Sequence, residues 1–215
     1  MKTKAQIILA LAAIFLFSTS LIAQQDEKDL KKDITSKAVK QARKEAKSLE
    51  KDGYYVAPGA LPLEKQLESA WMKQYETDEK GNPKYIVATG NSVAETQTAA
   101  KLQANETAKL ELAGQISSNI AALIENSIAN QQLNTEEAAS VTKTVAASKN
   151  IIAQELGRVI PLVEMYKKID KNIESNVRLA YDADTAYDIA KKTIRAKLED
   201  ETKIAHDKLE KLMDF

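Results

Sequence analysis

The stretch AAKLQANETAKLELAGQISSNIAALIENSI, residues 99–128, decides the fold. Ala100, Ala104, Ala108, Leu112, Ile116, Ile120, Ile124 and Ile128 recur every fourth residue, which is a helical spacing. Small residues come first and large ones later. An alanine face lets a helix lie close on a sheet, whereas isoleucines need a deeper pocket against another helix. An interval of four drifts about 40° per step, so the stripe winds and meets different neighbours at its two ends. The spacing predicts one long helix over about 94–132. Gly114, midway, costs about 1 kcal/mol in an exposed helix, so a close contact or a kink is expected there.

Upstream, residues 84–93 (KYIVATGNSV) are rich in β-formers and end at Gly90-Asn91, a pair that tolerates positive φ. They predict a strand followed by a loop, Thr89-Gly90-Asn91-Ser92, that opens the long helix. Residues 77–83, with Gly81-Asn82, read as a turn. Leu63, Leu67, Ala70, Trp71 and Tyr75 line a helix begun at Pro62, where a missing N–H costs little. Gly53 and Pro58-Gly59 break the chain, with a short strand at Tyr54-Tyr55-Val56 between them. Residues 24–52 are a charged amphipathic segment with the stripe Leu30, Ile34, Ala38, Ala42, Ala46 and Leu49. Only three of these six are large, each contributing about 1.5–3 kcal/mol when buried. This helix therefore needs a docking surface or another copy of itself.

Downstream, Asn134 followed by Glu137 forms a capping-box pattern. Ala138, Val141, Val145, Ser148, Ile152 and Leu156 then describe a helix packed back on its predecessor, closed by Gly157. Residues 159–169 and 173–182 alternate as two strands joined by a turn at 170–172. Pro161 puts the first at a sheet edge or delays its start. Asp182 or Asp184 caps a last helix carrying Tyr187, Ala190, Ile194, Leu198, Ala205, Leu209 and Leu212. Past Glu199 it is charged on most faces and is expected to project. The order predicts an α+β fold, helix-dominated, with a small sheet of about three strands, a long Ala-rich helix, a helical hairpin and a C-terminal helix. One domain is expected over 53–215, with its core at about 84–200.

The N-terminus reads as an address. Lys2 and Lys4 precede an unbroken apolar run of eleven residues, 7–17, and small residues lead to Ala23. This is the layout of a secretory signal peptide, residues 1–23, cleaved after Ala23 or alternatively after Ser20. The run is well short of the ~20 apolar residues of a membrane span. Without residues 1–25, which hold Lys2 and Lys4 and no acid, 29 basic residues face 31 acidic ones. That balance supplies no basic field for nucleic acid. Absence of cysteine excludes disulfides, thiol nucleophiles, cysteine-held metals and a lipid-anchored cysteine after the leader, and one histidine builds no histidine cluster.

Three pieces carry a resemblance. Ile86-Val87-Ala88-Thr89-Gly90, the alanine-spaced helix over 99–113, and Val177-Arg178-Leu179-Ala180-Tyr181 leading into a helix resemble the strand–helix–strand–strand module of the twenty-kilodalton outer-membrane lipoprotein family of Gram-negative bacteria. The likeness spans about 84–200. The chain is also similar to exported bacterial proteins sharing residues 58–67 (PGALPLEKQL) and 146–152 (AASKNII). The resemblance implies a non-catalytic protein of the cell envelope with surface or assembly roles. The missing lipid-attachment cysteine departs from the family and favours the periplasm.

Motifs that could carry chemistry lack their context. Ser140-Val141-Thr142-Lys143 matches the Ser-x-x-Lys acylation tetrapeptide, and Ser117-Ser118-Asn119 echoes its second box, but no Lys-Thr-Gly strand forms a third wall. Asp182, Asp184 and Asp188 suggest calcium, yet Ala186, Tyr187 and Thr193 stand where an EF-hand needs a ligand, a glycine and an acid. His206 lies in a charged helix. Neighbouring acids at 136–137 and 199–201 diverge by about 100° along a helix and cannot converge on one bond.

The sequence therefore predicts no catalytic residue, no metal and no cofactor. It points to an exported, non-enzymatic envelope protein, periplasmic or secreted, with a structural or protein-interaction role. Expected partners are proteins or a second copy, with peripheral association at the envelope and no spanning segment once the leader is gone. The alternative is a small-ligand or glycan-binding module using Thr89, Gly90, Asn91 and Ser92, whose amides would meet an anion at a helix N-terminus.

Overall fold

The computed structural model describes residues 32–131, 133–201 and 204–214. The leader at 1–23 and the start of the charged segment lie outside the described residues. A first helix, α1 (32–51), leads through a bridge at Tyr55 to α2 (Leu63–Tyr75). Then follow β1 (Tyr85–Ala94), α3 (Gln97–Gln131), α4 (Thr135–Ala147), α5 (Lys149–Glu155), β2 (Ile160–Ile169), β3 (Asn172–Asp182), α6 (Ala183–Glu201) and α7 (His206–Leu212). The fold is α+β and helix-dominated. Its sheet is antiparallel, in the order β1-β3-β2.

Helices cover both faces of this sheet. Ile86 and Ala88 of β1 and Val177 and Leu179 of β3 point to α3, where Ala104, Ala108 and Leu112 meet them. The alanines let the α3 backbone come down onto β1, and it crosses directly over Gly90. Further along α3 the sheet ends. Ile116, Ile120 and Ile124 there pack with Val141, Val145, Ile194, Leu198, Leu209 and Leu212 from the neighbouring helices. The change from alanine to isoleucine thus marks the passage from sheet to helix bundle.

The opposite face carries α1 and α2. Ala42 and Ala46 meet Leu63, Leu67 and Ala70, and these cover Leu162, Val163, Met165 and Ala180. The amphipathic N-terminal helix has found its docking surface. An ion pair fastens it: Arg178 of β3 donates to Glu45 at 2.7 Å, and the Trp71 indole N–H donates to the other Glu45 oxygen at 2.7 Å. Both partners of the pair are mostly buried, with side-chain exposures of 16% and 26%.

Caps and turns follow the sequence closely. Asn134 and Glu137 close a reciprocal capping box on α4. Asp182 accepts from the Thr185 backbone N–H at 2.9 Å and hydroxyl at 2.7 Å, which caps α6. Gly157 takes positive φ after α5, and Asp170 does so in the β2–β3 hairpin.

Three expectations are corrected. Residues 89–92 are not a loop, because β1 continues to Ala94 in unbroken register with β3. The helix over 138–156 is two helices divided at Ser148, whose hydroxyl bonds back to the Thr144 carbonyl at 2.8 Å. Such back-bonding bends a helix. The last helix does not project. After α6, the short α7 returns Leu209, Leu212 and Met213 to the core, so the charged stretch is a surface over a buried stripe.

Candidate functional site

The two edges of the sheet are built differently. In β2, Pro161 removes an outward donor, a register irregularity follows at Leu162, and Lys167 and Lys168 supply charge. Part of what remains outward is occupied. Tyr166 exchanges two backbone hydrogen bonds with Tyr55, both 2.8 Å, and the Glu164 N–H donates to the Gln66 side chain at 2.8 Å. Beside them the Tyr166 hydroxyl donates to Glu164, which is ion-paired with Lys101 at 2.7 Å. Burial, reinforced by Glu164, pushes the Tyr166 phenol above its ordinary range. The β2 edge is blocked at Pro161, Glu164 and Tyr166.

The β1 edge is open. The Ala183 N–H donates to the Lys84 carbonyl at 2.9 Å, which fixes the ladder's phase: even-numbered residues bond to β3, and odd-numbered ones direct N–H and C=O away from it. Tyr85, Val87, Thr89, Asn91 and Val93 therefore form the outward row. Among the described residues no backbone group pairs with that row. Of the described side chains only Gln115 reaches it, 3.4 Å from the Val87 carbonyl. Residues 85–94 contain no charge, no proline and no register shift.

The four residues of the expected ligand loop, Thr89, Gly90, Asn91 and Ser92, lie on this strand. Thr89 and Asn91 are exposed, Ser92 is half-buried, and Gly90 is buried under α3. Asn91 accepts from the Asn176 amide at 2.5 Å, and the Ser92 hydroxyl donates to Gln103 at 2.6 Å. With α3 beginning only at Gln97, these residues present no helix N-terminus to an anion. The even amides are spent on β3, so a cradle of converging N–H groups does not form here.

A row on α3 flanks the open edge: Gln103, Thr107, Glu111 and Gln115, one turn apart. No family model, no curated protein and no solved structure matches this chain. The site therefore rests on geometry alone.

The remaining sequence candidates are dispersed. Ser140 and Lys143 are exposed on α4, Ser117 is buried, and Asn119 donates to the Tyr187 hydroxyl at 3.0 Å. His206 is a surface residue, 3.6 Å from Glu210 and 3.9 Å from Glu199. Glu137 serves the α4 cap and pairs with Lys208, while Glu201 bonds Lys197 and Thr144. Among the described residues no group of three His, Cys, Asp or Glu could hold a metal ion, and no helix is long and apolar enough to cross a membrane.

Sequence reasoning found the strand and ended it too early. The outward row and the flanking α3 residues depend on which strand ends the sheet, and that is a property of topology. The absence of charge and proline from residues 85–94 was the available signal.

Proposed function

We propose that this protein is an exported, non-enzymatic component of the bacterial cell envelope that acts by binding other proteins through the β1 edge. The observation that carries the reading is the asymmetry of the sheet, one edge blocked at Pro161, Glu164 and Tyr166 and the other, among the described residues, with no backbone partner along its outward row from Tyr85 to Val93. Proteins normally blunt such edges with charge, proline or a covering segment, and strand addition is a common mode of partner binding. The leader layout of residues 1–23 supports export, and the likeness of residues 84–200 to envelope lipoproteins supports the same compartment.

Fractionation of the native cell tests both halves. The expected result is a chain lacking residues 1–23, or 1–20, in the periplasmic or envelope fraction. A protein should cross-link to it and be lost when Thr89→Pro removes an outward donor. Intact Met1 on cytosolic material would overturn export. A cross-linking pattern indifferent to Thr89→Pro would overturn the edge as the contact surface.

A further inference from the structure

We infer that the β1 edge accepts an extended segment of a different protein, carrying Lys or Arg, rather than a second copy of this chain. The inference rests on the reading of β1 as a contact surface and names its partner.

Self-pairing is the obvious alternative, and hydrogen bonding alone would favour it. An antiparallel two-fold centred on Thr89 would match Tyr85 with Val93, Val87 with Asn91 and Thr89 with itself, using the whole outward row. Sterics forbid it. The α3 backbone lies directly on Gly90, and Gln115 reaches the Val87 carbonyl, so α3 sits over β1 itself. A two-fold through the edge keeps both α3 helices on the same side of the joint sheet. Strands pair about 4.8 Å apart, whereas helix axes need about 8–10 Å. The two copies of α3 would occupy the same space. A strand without a helix on that face has no such conflict.

The surroundings define that strand's chemistry. On the α3 side it would run beneath Gln103, Thr107, Glu111 and Gln115, a polar shoulder suited to small or polar side chains. On the other side it would lie beside Thr89, Asn91 and the exposed Val93, neighbours that favour β-branched residues. Two exposed acids border the edge, Glu111 on the shoulder and Glu95 just beyond β1, and neither has an ion-pair partner among the described residues. At the opposite end Lys84 and Lys73 share Glu76, at 3.0 Å and 3.4 Å, with Lys73 over the Tyr85 ring. The charge left over toward Glu111 and Glu95 is negative, which selects a segment that is basic where it passes them.

Selecting a displayed library of random peptides, about twelve residues long, on the protein and counter-selecting on Thr89→Pro tests this. The enriched peptides should alternate, carry Lys or Arg, and lose binding by about tenfold or more on Thr89→Pro and on Glu95→Lys with Glu111→Lys. N-methylation of alternate peptide amides should abolish binding. That arm needs no protein variant, so the test stands even if Thr89→Pro does not fold. Failure to enrich any peptide that distinguishes the protein from Thr89→Pro would overturn the inference, as would enrichment of acidic sequences. A dimer of the protein that dissociates in Thr89→Pro would overturn the choice of partner while leaving the edge as a contact surface. A native cross-linking pattern indifferent to Thr89→Pro removes the contact reading itself, whatever the library returns.

Discussion

Gly90 lies against Ala104 with no room for a side chain between them. A Cβ on Gly90 would stand 2.0 Å from the Ala104 carbonyl oxygen and 2.5 Å from the Ala108 nitrogen. Both obstacles are helix backbone, so no rotamer change relieves the clash. Gly90→Ala should therefore cost about 3 kcal/mol or more, the upper end for overpacking. Urea denaturation followed by helical circular dichroism measures this, and a loss under about 1 kcal/mol would mean that α3 does not cross β1 here.

Gly114, on the same helix, predicts the opposite sign. Its added Cβ would meet only the mobile end of Lys149, at 3.0 Å and 3.2 Å. A lysine terminus can move aside. Gly114→Ala should raise stability by about 0.5–1 kcal/mol through helix propensity. A destabilised variant in the same urea assay would show that Lys149 cannot give way.

These two glycines show how much of the fold the sequence made legible. The winding stripe from Ala100 to Ile124 gave the long helix, and its change from alanine to isoleucine gave the change of neighbour, because side-chain size limits how closely a helix can approach. Pro161 offered an edge or a late start for β2, because a missing donor is tolerated at either, and the strand is an edge. Asn134 with Glu137, and Asp182, gave helix starts because their hydrogen bonds are local. Gly90 misled. A glycine followed by asparagine signals a turn when local conformation decides, whereas here a helix far away in the bundle requires the missing side chain. The return of α7 was hidden for a related reason: Leu209 and Leu212 are buried against α3, a partner that its own charged stretch does not reveal.

Glu45 joins three elements through one carboxylate, and its removal should be felt in all of them. Glu45→Ala would leave the mostly buried Arg178 guanidinium and the Trp71 N–H unpaired. The expected cost is about 2–4 kcal/mol. Adding Arg178→Ala should cost less than the sum of the two single changes, with a coupling of about 1 kcal/mol or more. Full additivity in a double-mutant cycle would show that the pair contributes nothing to holding α1 on the sheet.

Acid should weaken the start of α6. The Thr185 N–H, and then its hydroxyl, hold the Asp182 carboxyl below the usual carboxylate range. A carboxylate with a depressed folded pKa contributes stability that is fully present above its unfolded value, about 3.9, and lost as pH falls through the folded one. Asp182→Asn keeps a capping side chain but not its charge. The native chain should exceed this variant by about 0.5 kcal/mol at neutral pH, from the charge at the helix start. The gap should close as pH falls from about 4 through the lowered folded value. Thermal melts of both proteins across that range decide the matter, and a gap independent of pH would exclude the charge as its source.

Amide exchange reads the phase of β1 directly. The even residues Ile86, Ala88, Gly90 and Ser92 donate to β3, an interior strand, and should exchange only on opening of the sheet. The odd residues Val87, Thr89, Asn91 and Val93 face outward and should exchange faster by at least about a hundredfold, the equivalent of a local protection some 2.7 kcal/mol smaller. On β2, by contrast, Glu164 and Tyr166 donate outward to Gln66 and Tyr55, so no such alternation is expected there. The contrast between strands separates an open edge from general fraying, which would speed even and odd residues alike. Uniform protection along β1 in the isolated chain would mean that its outward row is already occupied.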